Sequence, residues 1–288
     1  MNILIFGGNR FFGKSLLEKI SKNNNYNIYV VNRGNLKTRS NTNITFIKSD
    51  RHDYLYLNKE LDRISFDYII DNSCYNLKDI NFFYKHLYSK GHYIFASTVM
   101  TYMDGAFKFR IKENQTDRNI KTKFLQKQYK KKEIEYALNK KKVENFIKRN
   151  FSNYTILRLH NVIGANDFKD ITYNLLNYKF NSKPKLKKNY LQICYDKDLV
   201  DIYMKMINKK IKGKNIFNVA NEPIEFNKFY NKVNRIAKLG KIKLKKIKTF
   251  PLPQNMLMNN EKISKKMNFN FTKYEKILKN LLIKNINK

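Results

Sequence analysis

The feature that most constrains this chain is its opening stretch, MNILIFGGNRFFGKSLLEKI. An apolar run from Asn2 to Phe6 meets Gly7-Gly8. Phe11, Phe12, Leu16, Leu17 and Ile20 then recur at helical spacing, which predicts a buried strand turning directly into a helix. Glycines at 7, 8 and 13 meet three needs of such a turn: a tight bend, an approach for a pyrophosphate free of side chains, and close packing of helix on strand. N–H groups at the helix start would face the anion. Arg10 stands where the dinucleotide fingerprint has its middle glycine, so an ordinary glycine turn stays open at this point.

The pattern then repeats. Strands are expected at Ile28 to Val31, Ile44 to Ile47, Phe66 to Ile70, Tyr93 to Ala96 and Tyr154 to Leu159. Helices are expected between them at Tyr54 to Ile64, Leu77 to Leu87 and, Lys-coated, Lys121 to Arg149. Regular alternation with short connections predicts an α/β fold, a doubly wound parallel sheet joined by right-handed crossovers. Beyond His160 the pattern is less regular. Phe180 to Tyr190 reads as a basic loop, followed by a helix at Asp198 to Ile207, a strand at Asn215 to Val219 and helices at Phe226 to Leu239 and Ile277 to Ile286. Residues 1–160 are therefore expected to form a dinucleotide-binding domain, with some later elements returning to it. Residues 161–288 would form a smaller C-terminal substrate-binding lobe and a basic helical tail.

With 288 residues, 42% of them hydrophobic and 14% aromatic, a large core can be filled. No apolar run reaches the length of a membrane span, and the first strand leaves no room for a leader. The expectation is a cytoplasmic protein without membrane contact. Cys74 and Cys194 read as buried thiols, and no His and carboxylate cluster has metal-ligand spacing. Lys and Arg number 59 against 23 Asp and Glu, a net charge of +36, which calls for an anionic partner: a nucleotide, RNA or another nucleic acid, or acidic lipid. Compositional drift in a chain rich in Lys, Asn and Ile explains the same charge.

Three constellations can carry chemistry. Ser97 and Thr98 end a central strand, where ligands bind in open parallel sheets. Tyr136 and Lys140 lie one turn apart on a helix, where the ammonium would favour the phenolate and fit Tyr136 for proton transfer. About four such Tyr–cation pairs arise by chance in this composition, but only here does Lys follow Tyr at the fourth place, between the fifth and sixth strands. His160 and Asn161 open a polar loop at the same sheet edge.

In order, GGNRFFG, Asp50 after the third strand, FASTVMTY, YALNK, ILRLHNVIGA, YDKDLVDIY and NIFNVANEPIEF resemble the extended short-chain dehydrogenase/reductase superfamily, the NAD-dependent epimerase/dehydratase family. The likeness covers residues 1–240 and implies a Rossmann-like sheet. By it, Thr98 matches the catalytic hydroxyl, Tyr136 the catalytic base, Lys140 the lysine that lowers the tyrosine's pKa, and Asn161 a substrate-pocket position. Gly7, Gly8, Asn9, Arg10, Phe11, Phe12 and Gly13 would cradle the cofactor's phosphates. Asn32, Arg33, Asp50 and Arg51 would meet its adenosine, and Ser97, Tyr136 and Lys140 the rest.

Arg10-Phe11-Phe12 and Asn32-Arg33-Gly34 look like the subgroup containing the chloroplast stem-loop RNA-binding proteins. Arg33, with Asn32 replacing the usual acid, leans the cofactor choice between NAD and NADP toward NADP. Val99-Met100 replace the Asp-Glu pair of sugar-nucleotide dehydratases, and the long interval from Thr98 to Tyr136 implies a loop around Phe107 to Lys123. The resemblance implies an NAD(P)-dependent epimerase or reductase acting on a nucleotide-sugar or similar anionic substrate with a secondary alcohol, and pairing into a homodimer through helices on one sheet face. A Rossmann-fold RNA-binding protein and a non-catalytic cofactor-binding regulator are the alternatives.

Overall fold

Alternation along the first strand decides how the layers stack. In β1 (Asn2–Phe6), Ile3 and Ile5 join the core on one side of the sheet and Leu4 and Phe6 the core on the other. A strand buried on both faces belongs in the middle of a parallel sheet. The computed structural model describes residues 1–34, 42–87, 91–103, 110–115, 129–167, 170–178, 190–244 and 256–285, with side chains to 282.

β1 leads into α1 (Phe11–Ile20) and β2 (Asn27–Asn32); β3 (Ile44–Lys48) and α2 (Tyr54–Leu61) follow, then β4 (Tyr68–Asp71), α3 (Leu77–His86) and β5 (His92–Thr98). Next come α4 (Lys131–Asn150), β6 (Tyr154–Leu159), β7 (Val162–Ile163), α5 (Ile171–Leu176), β8 (Tyr190–Leu191) and β9 (Cys194–Tyr195). The chain ends with α6 (Asp196–Asn208), β10 (Lys214–Val219), β11 (Ile224–Glu225), α7 (Phe226–Leu239), α8 (Glu261–Met267) and α9 (Tyr274–Asn285). The main sheet has seven strands in the order β10-β6-β5-β4-β1-β2-β3, all parallel. Leu16, Leu17 and Ile20 of α1 and Leu199, Tyr203 and Met206 of α6 fill one face; Leu57 of α2, Phe83 of α3 and Val143 and Ile147 of α4 fill the other. This is the doubly wound, Rossmann-like fold expected from the alternation.

Three late elements, α6, β10 and α8, return to the main sheet, β10 pairing beside β6. A separate core joins α5, α7 and α9 through Leu175, Phe229, Tyr230, Ile277 and Leu281. The expected loops around Phe107 to Lys123 and Phe180 to Tyr190 fall largely outside the described residues, as does the first part of the helix expected from Lys121. Strand order reverses between β1 and β4, so a crevice opens at their C-terminal ends, at Gly7 and Asn72.

Candidate active site

A cavity of about 780 Å³ occupies that crevice. Its cradle is the β1–α1 turn. Gly7 has φ +81°, a conformation that favours glycine, and a Cβ on Gly13 would lie 2.0 Å from the Gly7 carbonyl oxygen. Gly8 and Gly13 shape the cavity without lining it. A Cβ on Gly8 would meet Val30 at 3.0 Å, so this glycine lets the turn pack on the sheet. Phe11, the first residue of α1, has φ +49°, a strain of about 1–3 kcal/mol for an aromatic residue, held where the chain enters the helix. No side chain caps α1, so its leading N–H groups are not met from that source.

The polar atoms around the cradle fit a dinucleotide. Asn9 Oδ1, Arg51 Nε and Asn72 Nδ2 are buried without hydrogen-bond partners, and all three residues line the cavity. Buried polar atoms of this kind are normally satisfied, and a ligand rich in both donors and acceptors would satisfy these.

Asn32, Arg33, Asp50 and Arg51 line the same end of the cavity, at the tips of β2 and β3. Asn32 Oδ1 accepts the Gly34 N–H at 2.7 Å, which shapes the turn carrying Arg33. Asp50 Oδ1 accepts the His52 N–H at 2.9 Å; that bond holds its carboxyl below the usual range against some burial, helped by the charges of His52 and Arg33. Arg51, expected beside adenine, lines the cavity and pairs with Asp71, with Nη1 and Nη2 at 3.2 and 2.7 Å from its two carboxyl oxygens. Burial alone would raise Asp71; the Arg51 fork, the Tyr93 phenol and the Ser73 N–H outweigh it and keep the carboxyl below its ordinary value.

Thr98, Tyr136 and Lys140 converge on the opposite wall. Thr98 ends β5; its hydroxyl accepts the Met100 N–H at 3.2 Å and lines the cavity with the Tyr136 phenol. Lys140 is 2% exposed; its Nζ donates to the carbonyls of Cys74 at 2.8 Å and Ala96 at 2.7 Å. The rings of Phe95, Tyr75 and Tyr136 surround the ammonium, with centroids at 4.7, 5.1 and 5.9 Å. Two of its three hydrogens are thus spent on the backbone. Burial lowers the Lys140 ammonium and raises the Tyr136 phenol, the nearby Thr98 hydroxyl opposing the latter. A depressed phenol was expected from the Tyr–Lys spacing; in this environment desolvation is the larger influence.

Ser97, expected to touch the cofactor, lines the cavity but gives its hydroxyl to Glu144 Oε1 at 2.6 Å. Glu144 lies one turn beyond Lys140 on α4 and is paired with Arg158 of β6, whose Nη2 is 2.6 Å from Oε2. Arg158 Nη1 donates to the Tyr102 phenol, which donates to Asn218 Oδ1 of β10. No sequence motif flagged Glu144, although its spacing from Tyr136 and Lys140 places all three along one side of the helix.

Asn161 faces the cavity, and its N–H donates to His160 Nδ1 at 2.9 Å. His160 Nε2 donates to the Met256 carbonyl at 3.1 Å, and burial lowers its pKa to about 4. His160 is therefore a neutral spacer near pH 7. Folded His160 resists a proton that the unfolded chain accepts, so it withdraws stability as pH falls from about 6.5 toward 4, by as much as about 3 kcal/mol. Urea unfolding of His160→Gln, which keeps a donor for Met256, should show a shallower loss between pH 7 and 4. A slope equal to the wild type's would refute this.

Among the described residues, no helix is long and apolar enough to cross a membrane, and no group of His, Cys, Asp and Glu could hold a metal ion. The lysine segment 183–188 lies outside the described residues.

No family model matches this chain, and no curated protein matches it. Solved structures do. UDP-glucose 4-epimerase from Thermotoga maritima, with UDP-glucose, is 17% identical at a TM-score of 0.73, covering 100% of this chain and 99% of that one. The dTDP-glucose 4,6-dehydratase from Bacillus anthracis, in complex with NAD, is 15% identical at 0.71, covering 100% and 97%. UDP-N-acetylglucosamine 4-epimerase from Methanobrevibacter ruminantium, in complex with UDP-N-acetylmuramic acid, is 16% identical at 0.69, covering 99% and 98%. The chain shares its fold, end to end, with nucleotide-sugar epimerases and dehydratases.

Proposed function

We propose that this chain is a nicotinamide-dependent epimerase or reductase acting on a secondary alcohol of a nucleotide-sugar or similar anionic substrate. The observation that carries the reading is the meeting of Thr98, Tyr136 and Lys140 on one wall of a cavity whose other wall is the Gly7 turn. Residues 1–160 with α6 and β10 would serve the cofactor, and the core of α5, α7 and α9 the substrate.

The β1–α1 turn would hold the pyrophosphate, the tips of β2 and β3 the adenosine, and Lys140, through its remaining hydrogen, a ribose hydroxyl. When bound, the nicotinamide supplies hydride exchange. Tyr136 passes a proton to or from the substrate oxygen, and Thr98 holds that oxygen by a hydrogen bond. Lys140 adds positive potential beside the phenol while its carbonyl partners fix its place. A phenol raised by burial is protonated near pH 7, which suits donation to a carbonyl oxygen. Arg33 beside Asn32 favours a 2′-phosphate, so NADP is the preferred cofactor. The net charge of +36 favours an anionic substrate, as do neighbours solved with UDP-sugars.

Titration of reduced dinucleotide fluorescence tests the reading. Saturable binding is expected, tighter for NADPH than for NADH. No binding of either would end it, whereas equal binding would remove only the role given to Arg33.

A further inference from the structure

One polar group beside the crevice is held on one side and unpartnered on the other. Asn72 follows the last residue of β4, and its backbone N–H donates to the Phe6 carbonyl at 3.0 Å, tying the end of β4 to the end of β1. Its side chain leaves the backbone against the phosphate turn: a Cβ built on Gly7 would lie 3.2 Å from Asn72 Cβ. On its other side the Tyr203 phenol of α6 donates to Asn72 Oδ1 at 2.8 Å. Tyr203 is fully buried, which keeps its phenol protonated and therefore a fixed donor. With the oxygen bonded to Tyr203, Nδ2 is left buried without a hydrogen-bond partner in a residue that lines the cavity.

Resting on the dinucleotide reading above, we infer that Asn72 is a binding residue whose amide N–H groups donate to the cofactor's pyrophosphate, and that Tyr203 is the positioning residue that aims them. The chemistry favours phosphate. The amide presents donors only, it borders the turn that would carry the anion, and an amide is neutral, so it adds recognition without another buried cation. It would also supply a side-chain contact at a turn whose fingerprint has Arg10 in place of glycine.

The test is NADH binding, followed by fluorescence, with adenosine as a competing ligand that carries no phosphate. Asn72→Asp keeps an acceptor for Tyr203 and the side chain's size, but turns an oxygen toward the phosphate. It should weaken NADH about tenfold to a hundredfold and leave adenosine displacement within about threefold. Tyr203→Phe keeps the ring and frees the amide, and should weaken NADH about threefold to tenfold with adenosine again unchanged. Should Asn72→Asp fail to fold, Tyr203→Phe carries the test. Unchanged NADH binding in both variants would overturn the assignment while leaving the dinucleotide reading intact. Equal weakening of NADH and adenosine would also overturn it, because Asn72 would then only shape the turn. A wild-type protein that binds neither NADH nor NADPH would overturn both; where it binds NADPH alone, the same comparison is read with NADPH.

Discussion

Tyr136→Phe is expected to lower turnover by about 10²- to 10⁴-fold while dinucleotide affinity stays within about twofold. The substitution removes one oxygen and keeps the ring, which sits 6.5 Å from Tyr75 and 5.9 Å from the Lys140 ammonium, so packing and thermal stability should hardly move. What is lost is the phenol that lines the cavity with Thr98 and would exchange a proton with substrate. The pH dependence carries the same signature. Because burial raises the phenol, reduction of a carbonyl should keep its rate from neutral pH up to the phenol's pKa. Oxidation of the alcohol, which needs the phenolate, should gain about tenfold per pH unit over that range. Steady-state rates in both directions decide it. Retention of more than a tenth of wild-type turnover would remove Tyr136 from its role.

The second large effect is on stability. Arg158 is 0% and Glu144 1% exposed, and they are joined by three hydrogen bonds at 2.6 to 3.2 Å. Arg158→Met strands a buried carboxylate and Glu144→Leu strands a buried guanidinium. Each should cost about 3–5 kcal/mol, lowering Tm by about 6–20 °C for a chain of this size. Combining the two should restore most of the loss, because no charge is then left unpaired. The sign with pH follows from Glu144: Arg158 outweighs burial and holds its carboxyl below the usual range. The pair's contribution is therefore complete above the ordinary carboxylate pKa and disappears as pH falls through the lowered one. Thermal melts of the two single variants and the double variant make the measurement. Additive losses would show that the two side chains do not act as a pair. Since Glu144 shares α4 with Tyr136 and Lys140, and Ser97 precedes Thr98, the pair also anchors both halves of the candidate chemistry.

Much of the fold was legible because it is written in local periodicities. A strand buried on both faces is an apolar run, an amphipathic helix repeats at three and four residues, and the transitions from β1 to β6 carry Gly, Asn or Asp. Boundaries moved by a few residues, as at β5, expected from Tyr93 to Ala96 and found as His92–Thr98. That extension puts Thr98 inside the strand end that faces the cavity. The candidate site was legible in outline, since Gly7, Thr98, Tyr136, Lys140 and Asn161 are spaced by elements that could be counted.

Commitments between distant side chains were not legible. Ser97 and Arg51 looked like ligand contacts because their positions are right. Ser97 bonds Glu144 and Arg51 bonds Asp71, partners 47 and 20 residues away that are buried beside them. Asn72 and Tyr203, 131 residues apart, carry no shared signal at all. Sequence spacing shows that a lysine is near Tyr136, but not that the Lys140 ammonium is held by the carbonyls of Cys74 and Ala96.

The sequence by itself determined the strand-turn-helix at Gly7, the alternation that builds a parallel sheet, and the order in which hydroxyl, phenol and ammonium reach its edge. These follow from dihedral freedom, side-chain period and connection length, all properties of neighbouring residues. Only the tertiary structure decided which polar groups are spent on the protein and which are left facing the cavity, because desolvation and hydrogen-bond pairing are set by residues that meet only once the chain has folded.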